Sequence, residues 1–257
     1  MFFVGDPPLP FLQPEAAEVH ISVTFTWDIA EGERLAEAWR GYYPVVKLGG
    51  PAFGSPDDTF TPGMYVKHGV TYTSRGCNNA CPWCFVPGRE GKVRLLPITD
   101  GHIVQDNNLL QTPRDHQEAV YAMLKRQGKA ATFSGGIQAS LVDSWVAEQF
   151  RQLRIHEVWL ACDSKGAIGP LREATRLLSF LRRDKLRCYV LVGFHGETVE
   201  EARERLEQVW SAGCMPFAQF YRDSNGERMT LTKEWQSLVR GWSRPAIMRV
   251  VHSHGGE

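Results

Sequence analysis

Six short runs of apolar, β-branched or aromatic residues recur about 30 residues apart, and this period constrains the fold more than any other feature of the sequence. The runs are Val70–Ser74, His102–Gln105, Ala130–Phe133, Val158–Ala161, Cys188–Val192 and Pro216–Tyr221. The interval is the length of one strand–helix unit, and helical patterns fill most of the gaps. Asp115–Gln127 gathers Ala119, Val120, Met123 and Leu124 on one face. Ser140–Leu153 does the same with Leu141, Val142, Trp145, Val146, Phe150 and Leu153. Pro170 stands where a first helical position is expected, ahead of Leu171, Ala174, Leu177, Leu178 and Leu181. Thr198-Val199-Glu200-Glu201 is a capping-box pattern opening a helix with Ala202, Leu206, Val209 and Trp210, which Gly213 ends. Apolar strands alternating with helices imply a parallel sheet covered by helices. Six such units suit a partial barrel or an open doubly wound sheet.

Shorter patterns flank the repeat. Val19–Phe25 reads as a strand, Asp28-Ile29-Ala30-Glu31 as the start of a helix through Trp39, and Pro44–Leu48 as a second strand. Together they predict a short βαβ appendage, joined to the main body by the Pro/Gly-rich connector Gly49–Gly63. A polar turn, a helix from Thr232 to Trp242 and a segment around Ile247–Val251 follow the last run. The expected divisions are residues 1–64, 65–222 and 223–257.

Lysine plus arginine is 29 and aspartate plus glutamate is 29, so no global charge draws the chain to DNA or to an anionic membrane. No apolar run approaches the roughly 18–20 residues of a membrane span. Met1-Phe2-Phe3-Val4-Gly5-Asp6 has neither the basic start nor the apolar stretch of a secretory signal. Of six cysteines, three fall in one short segment, an arrangement unlike a disulfide framework. The expected compartment is the reducing cytoplasm, and the cluster suggests a metal.

That segment is Arg75-Gly76-Cys77-Asn78-Asn79-Ala80-Cys81-Pro82-Trp83-Cys84-Phe85, with C-x3-C-x2-C spacing directly after the first strand. Three soft thiolates in one loop can hold one iron each of a 4Fe–4S cube, leaving the fourth iron open to a small molecule. Zinc is the alternative. It normally takes four ligands in a closed site, and the sequence offers no second closely spaced pair, although His68 stands upstream.

The segment resembles the signature of the radical S-adenosylmethionine (radical SAM) superfamily, with Trp83 in the aromatic position of C-x3-C-x-aromatic-C. The resemblance covers roughly residues 65–222. It implies an α/β fold, a partial (β/α)6 barrel of the radical SAM type, with the βαβ appendage at its N-terminus. It also implies that Cys77, Cys81 and Cys84 bind a 4Fe–4S cluster whose fourth iron chelates SAM. An electron then cleaves SAM to methionine and a 5′-deoxyadenosyl radical, which takes a hydrogen atom from a substrate.

Further SAM contacts are expected at the C-terminal ends of later strands. Asp106-Asn107-Asn108 stands where many members carry Gly-Gly-Glu, and its side chains can accept from the methionine ammonium. Ser134-Gly135-Gly136 and the glycines of Gly193-Phe194-His195-Gly196 allow close backbone approach to a ligand. Asp163, His195, Tyr221 and Arg222, at the ends of strands four to six, are the candidate substrate groups. Cys162, also at a strand end, is a candidate hydrogen donor, whereas Cys188 and Cys214 read as small core residues.

The segments His20–Asp28 and Lys47–Ala52 resemble the end of the cobalamin-binding domain of one radical SAM class. The Asp-x-His-x-x-Gly motif that would bind cobalt is absent, and cobalamin is not expected. The resemblance further implies an electron donor such as flavodoxin or ferredoxin. A modified nucleotide or nucleic-acid base leads as substrate, narrowly ahead of an amino-acid-derived metabolite, and a peptide ranks third. The rival function is a zinc-stabilised nucleic-acid-binding module without catalysis. Trp235, Trp242, Arg240, Arg244 and Arg249 supply a basic aromatic tail for it.

Overall fold

The computed structural model describes residues 5–53, 67–228 and 230–252. Residues 54–63 of the expected connector lie outside the described residues. The chain forms two compact units. Over the described residues, the first comprises Met1–Phe60, Gly88–Glu90 and Arg222–Glu227, and the second comprises Thr61–Pro87, Gly91–Tyr221 and Arg228–Glu257.

The first unit is built on strand β1 (Val19–Ser22), helix α1 (Ile29–Arg40) and strand β2 (Val46–Gly49), with the two strands parallel. This is the βαβ expected from the sequence. Helix α1 buries Gly32, Ala36 and Trp39. A Cβ on Gly32 would lie 2.4 Å from Cγ2 of Val23, so the glycine lets the helix come close to the strand. Segment 25–27 packs against the Arg222–Glu227 loop. Phe25 stacks on Trp27 with centroids 4.7 Å apart, and Trp27 fills the space a Cβ on Gly226 would need.

In the second unit the first run is interrupted. Strand β3 (Val70–Thr71) joins the main sheet, whereas β4 (Ser74–Arg75) pairs antiparallel with β5 (Arg94–Leu95). The cysteine segment is the excursion between β4 and β5, and it leads into the short helix α2 (Val86–Glu90). Next come β6 (Ile103–Val104), α3 (Arg114–Gln127), β7 (Ala131–Ile137), α4 (Ser144–Arg151), β8 (Ile155–Ala161), α5 (Ile168–Leu177), β9 (Leu186–Val192), α6 (Val199–Ser211) and β10 (Met215–Phe220). Helices α7 (Lys233–Trp242) and α8 (Pro245–His252) close the described chain.

The expected helix over Ser140–Leu153 begins later, at Ser144. Asp143 caps it by accepting from the Val146 N–H, and a 3-10 turn occupies Ala139–Leu141. Pro170 stands two residues inside α5 rather than at its start, where its missing N–H still costs nothing. The capping box of α6 forms as read: Thr198 accepts from the Glu201 N–H, and the Glu201 carboxylate accepts from the Thr198 N–H.

β3, β6, β7, β8, β9 and β10 form one six-stranded parallel sheet, flanked by helices, in which neighbours in space are neighbours in sequence. A doubly wound sheet reverses its strand order at a switch point. This sheet has no such reversal, which removes that alternative.

Burial alternates along the strands. Val158, Leu160, Cys188, Val190 and Val192 are fully buried in the core with Leu171, Ala174, Leu206 and Val209 of the helices. The intervening Trp159, Tyr189 and Phe217 are half-buried on the other face. Trp235, Leu238, Trp242 and Met248 enter the same core, so α7 and α8 belong to the second unit. This also places the tail tryptophans in packing, away from a nucleic-acid surface.

No helix of the described residues is long and apolar enough to cross a membrane.

Candidate functional site

The cysteine loop is held at the strand ends by buried polar groups. Asp106, just past β6 and 2% exposed, accepts from the Thr73 N–H (2.6 Å), the Thr73 hydroxyl (2.5 Å) and the Ser74 hydroxyl (2.7 Å). These bonds bend the chain out of β3 and into β4, which is why the first run is interrupted. They also correct the expectation for Asp106: its oxygens are engaged inside the protein and do not face a ligand.

Asn107 Oδ1 accepts from the Gly76 N–H at 2.9 Å. Gly76 has φ 86°, and a Cβ there would lie 2.2 Å from the Lys92 carbonyl, so the residue before Cys77 has to be glycine. The Cys77 N–H donates to the Gly91 carbonyl at 3.1 Å, closing the base of the excursion.

A carboxamide network missed by the sequence reading surrounds Cys77. Gln138 Oε1 accepts from Asn79 (3.0 Å), Asn108 (2.8 Å) and Gln111 (2.9 Å). Gln111 in turn accepts from the Asn78 N–H and donates to Asn79. Asn108 Nδ2 also approaches the Cys77 sulfur at 3.8 Å, and its Oδ1 is buried without a partner among the described residues. Asn107 and Asn108 therefore orient the loop, and the Asn108 Oδ1 is the free acceptor of the triplet.

The far side of the loop is anchored through Trp83. Trp83 lies beside the Asp163 carboxylate, just beyond β8, and Asp163 accepts from the Leu191 N–H at 2.7 Å. Trp83 meets Phe194 edge-on at 5.6 Å, and Phe194 meets Tyr221 at 4.9 Å. Burial pushes the Asp163 carboxyl above its ordinary range, against the opposing pull of the Leu191 N–H, of Arg205 and of Trp83.

Arg205 is 5% exposed; it pairs with Glu197 and donates to the carbonyls of Cys162 (3.1 Å) and Leu191 (2.8 Å). Glu197 also accepts from the Gly193 N–H at 2.9 Å. This lock shapes the turn after β9, where Gly193 and Gly196 have φ 80° and 79° and His195, exposed and stacked on Phe194, has φ 55°. A side chain at positive φ is strained, and the turn imposes it on His195.

Ser134-Gly135-Gly136 lies within β7 as a bulge rather than at its end. A Cβ on Gly135 would lie 2.0 Å from the Asp106 carbonyl, so this glycine serves the close approach of β6 and β7. Gly136, at φ 110°, is less crowded: a Cβ there would lie 4.0 Å from the Asn107 carbonyl.

The second unit thus brings together the cysteines, Trp83, Asn108, Asp163 and Tyr221, with His195 on the adjoining turn. Arg222 is placed otherwise. It belongs to the first unit, and its guanidinium lies 5.3 Å above the Trp27 ring. Cys162 is fully buried, and burial pushes its thiol up to about 12, so it does not face the site as a hydrogen donor.

Cys77, Cys81 and Cys84 are half-buried free thiols. Burial and the neighbouring thiols push Cys81 up, and burial pushes Cys84 up against a hydrogen bond from the Val86 N–H. The mutual influence shows that the thiols are neighbours. Among the described residues, however, no three His, Cys, Asp or Glu side chains gather closely enough to hold one metal ion. A cluster in which each thiolate binds a different iron asks for a wider triangle than a closed zinc site, whose ligands converge within about 2.0–2.3 Å of one point. Neighbouring thiols, an amide hydrogen aimed at one sulfur and a loop tied down on both sides fit such a cluster.

Two clefts lie at the opposite, N-terminal ends of the strands. One of about 340 Å³ is lined by Lys67, His68 and His102 among others, and one of about 530 Å³ by Lys129, Arg154 and His156 among others. Neither touches the cysteine loop.

No protein-family model matches the chain, and no curated protein matches it.

Cys188 and Cys214 are fully buried on the helix-covered side, and the Cys188 thiol donates to the Tyr189 carbonyl at 3.5 Å. Replacing either by Ala should leave iron content after anaerobic reconstitution unchanged, while lowering stability by roughly 1 kcal/mol for the lost sulfur contacts. Loss of iron in either variant would point to a metal site in the core.

Proposed function

We propose that the protein is a radical SAM enzyme in which Cys77, Cys81 and Cys84 hold a 4Fe–4S cluster. The observation that carries this reading is the C-x3-C-x2-C loop itself. It is pinned by Asp106, Asn107 and Asn108 on one side and packed through Trp83 against Phe194 on the other, at the strand ends of a sequentially ordered parallel sheet.

Sequential order also supports the partial (β/α)6 barrel. Right-handed crossovers that always advance in one direction put every helix on one side of the sheet. The other face, with Trp159, Tyr189 and Phe217, is then buried by curling inward.

Bound with SAM, the cluster would supply the electron that generates a 5′-deoxyadenosyl radical for hydrogen abstraction from a substrate. The chain's own residues hold the thiolates, orient the loop and exclude water. Asn108 Oδ1 is an acceptor suited to the SAM ammonium, a role the sequence reading gave to the whole triplet. The backbone at Gly136 and the turn Gly193–Gly196 suit SAM, and Asp163, His195 and Tyr221 are the groups offered to the substrate. Substrate-class proposals remain a nucleotide or base first, then an amino-acid-derived metabolite.

Protein reconstituted anaerobically with iron and sulfide should carry about four irons per chain. Given SAM and a strong reductant, it should release 5′-deoxyadenosine and methionine. A chain that binds one zinc and no sulfide, and leaves SAM intact, would sink the proposal in favour of the zinc-stabilised module.

A further inference from the structure

Arg187 is 8% exposed on β9, on the sheet face turned away from the helices, and its guanidinium makes no hydrogen bond to any described residue. Its Nε is sealed from solvent and unpartnered. The group lies 4.8 Å above the Trp159 ring. Trp159 stacks on Tyr189 at 4.3 Å, and Phe217 packs edge-on against both. Burial pushes Arg187 below its ordinary range, and Arg249 adds to that, while the Glu157 carboxylate works against it. Glu157 does not hydrogen-bond Arg187; it accepts the Trp159 indole N–H at 2.9 Å instead. The Tyr189 hydroxyl is likewise engaged, with the Ser134 carbonyl at 3.3 Å.

A guanidinium has five donors in a fixed fork, and here the Nε–H is sealed from solvent and unmade, which is costly for a buried donor. Stacking on Trp159 holds the fork in place but satisfies none of its N–H groups.

We infer that Arg187 is the anion-binding residue of a ligand subsite on the inner face of the sheet, taking a carboxylate or phosphate group. The inference rests on the proposed function for what lies at the other end of the ligand. Arg187 and Leu191 are four residues apart on one face of β9, about 13 Å along the strand, and Leu191 is bonded to Asp163 beside the cysteine loop. A substrate seated here has its anionic group at Arg187 and its reacting end near the strand ends. That span suits a mononucleotide or an acidic metabolite of similar length.

The test is thermal unfolding of the full chain and of Arg187→Met and Arg187→Lys, with and without sodium phenyl phosphate or sodium benzoate at matched ionic strength. An unpaired buried charge is a burden on the unliganded fold, so Arg187→Met should melt at or above the wild-type temperature without probe. One of the two probes should raise the wild-type midpoint by several degrees, phenyl phosphate for a phosphate subsite and benzoate for a carboxylate one. That rise should vanish in Arg187→Met and be reduced in Arg187→Lys, which keeps the charge and loses the fork. A wild-type midpoint unmoved by both probes would overturn the inference. So would equal shifts in wild type and Arg187→Met, or a large destabilisation of Arg187→Met without probe, which would make Arg187 structural. The measurement does not depend on iron or SAM, so it can fail while SAM cleavage stands, and the reverse.

Discussion

Cys81→Ala is expected to abolish both the broad visible absorbance of a 4Fe–4S cluster and the release of 5′-deoxyadenosine, with the fold retained. The expected loss is complete, because the three thiolates act as a unit and an iron without its thiolate leaves the cube open on a second side. Cys81 is half-buried in a loop whose anchors, Asp106 to Thr73 and Ser74 and Asn107 to Gly76, do not involve its sulfur. Circular dichroism and the unfolding midpoint of the iron-free protein should therefore match wild type. Full iron and sulfide content in the variant, together with wild-type SAM cleavage, would remove Cys81 from the ligand set. If iron is lost but zinc is also lost from aerobically purified protein, the same thiol serves the zinc-stabilised reading instead.

The sheet was legible in the sequence because each strand is a run of apolar residues too short for a helix and bounded by polar turns. Its order follows from units of nearly equal length. The βαβ of the first unit and the Thr198–Glu201 capping box were legible for the same reason: their signals are local. The supports of the site are not local. Asp106 meets Thr73 and Ser74 more than 30 residues away, and a polar triplet after a strand reads equally well as a ligand contact or a loop clamp.

Gln111 and Gln138 carry no chemistry of their own that a sequence reading would single out, and they matter only because the fold points them both at Asn79. Arg205 did leave a signal. It lies on the same helical face as Ala202, Leu206 and Val209, so a charged residue in the apolar stripe of α6 announced a buried partner, which is Glu197. Arg187 left a similar one, a charged residue directly before the run Cys188–Val192 on a strand otherwise apolar or aromatic.

Asp106 is where the sequence reading and the structure lead to opposite experiments. A SAM-binding Asp106 would lose ligand affinity when replaced by Ala and keep its fold. The carboxylate seen here is spent on one N–H and two hydroxyls, all in buried residues. Asp106→Ala leaves those three donors without an acceptor, at about 1–3 kcal/mol for each buried group left unsatisfied. The sum is large against the 5–15 kcal/mol that typically holds a domain together. The variant should therefore unfold at clearly lower denaturant, and its cysteine loop should lose iron on desalting even where the rest of the sheet remains folded. Asp106→Asn keeps one carbonyl oxygen and nearly the same volume, and should fall between the two because its amide can accept only part of what the carboxylate does. The order in stability and in iron retention should be wild type, then Asn, then Ala. Wild-type stability in Asp106→Ala, with SAM affinity lowered, would restore Asp106 to the ligand and leave the bend between β3 and β4 in need of another cause.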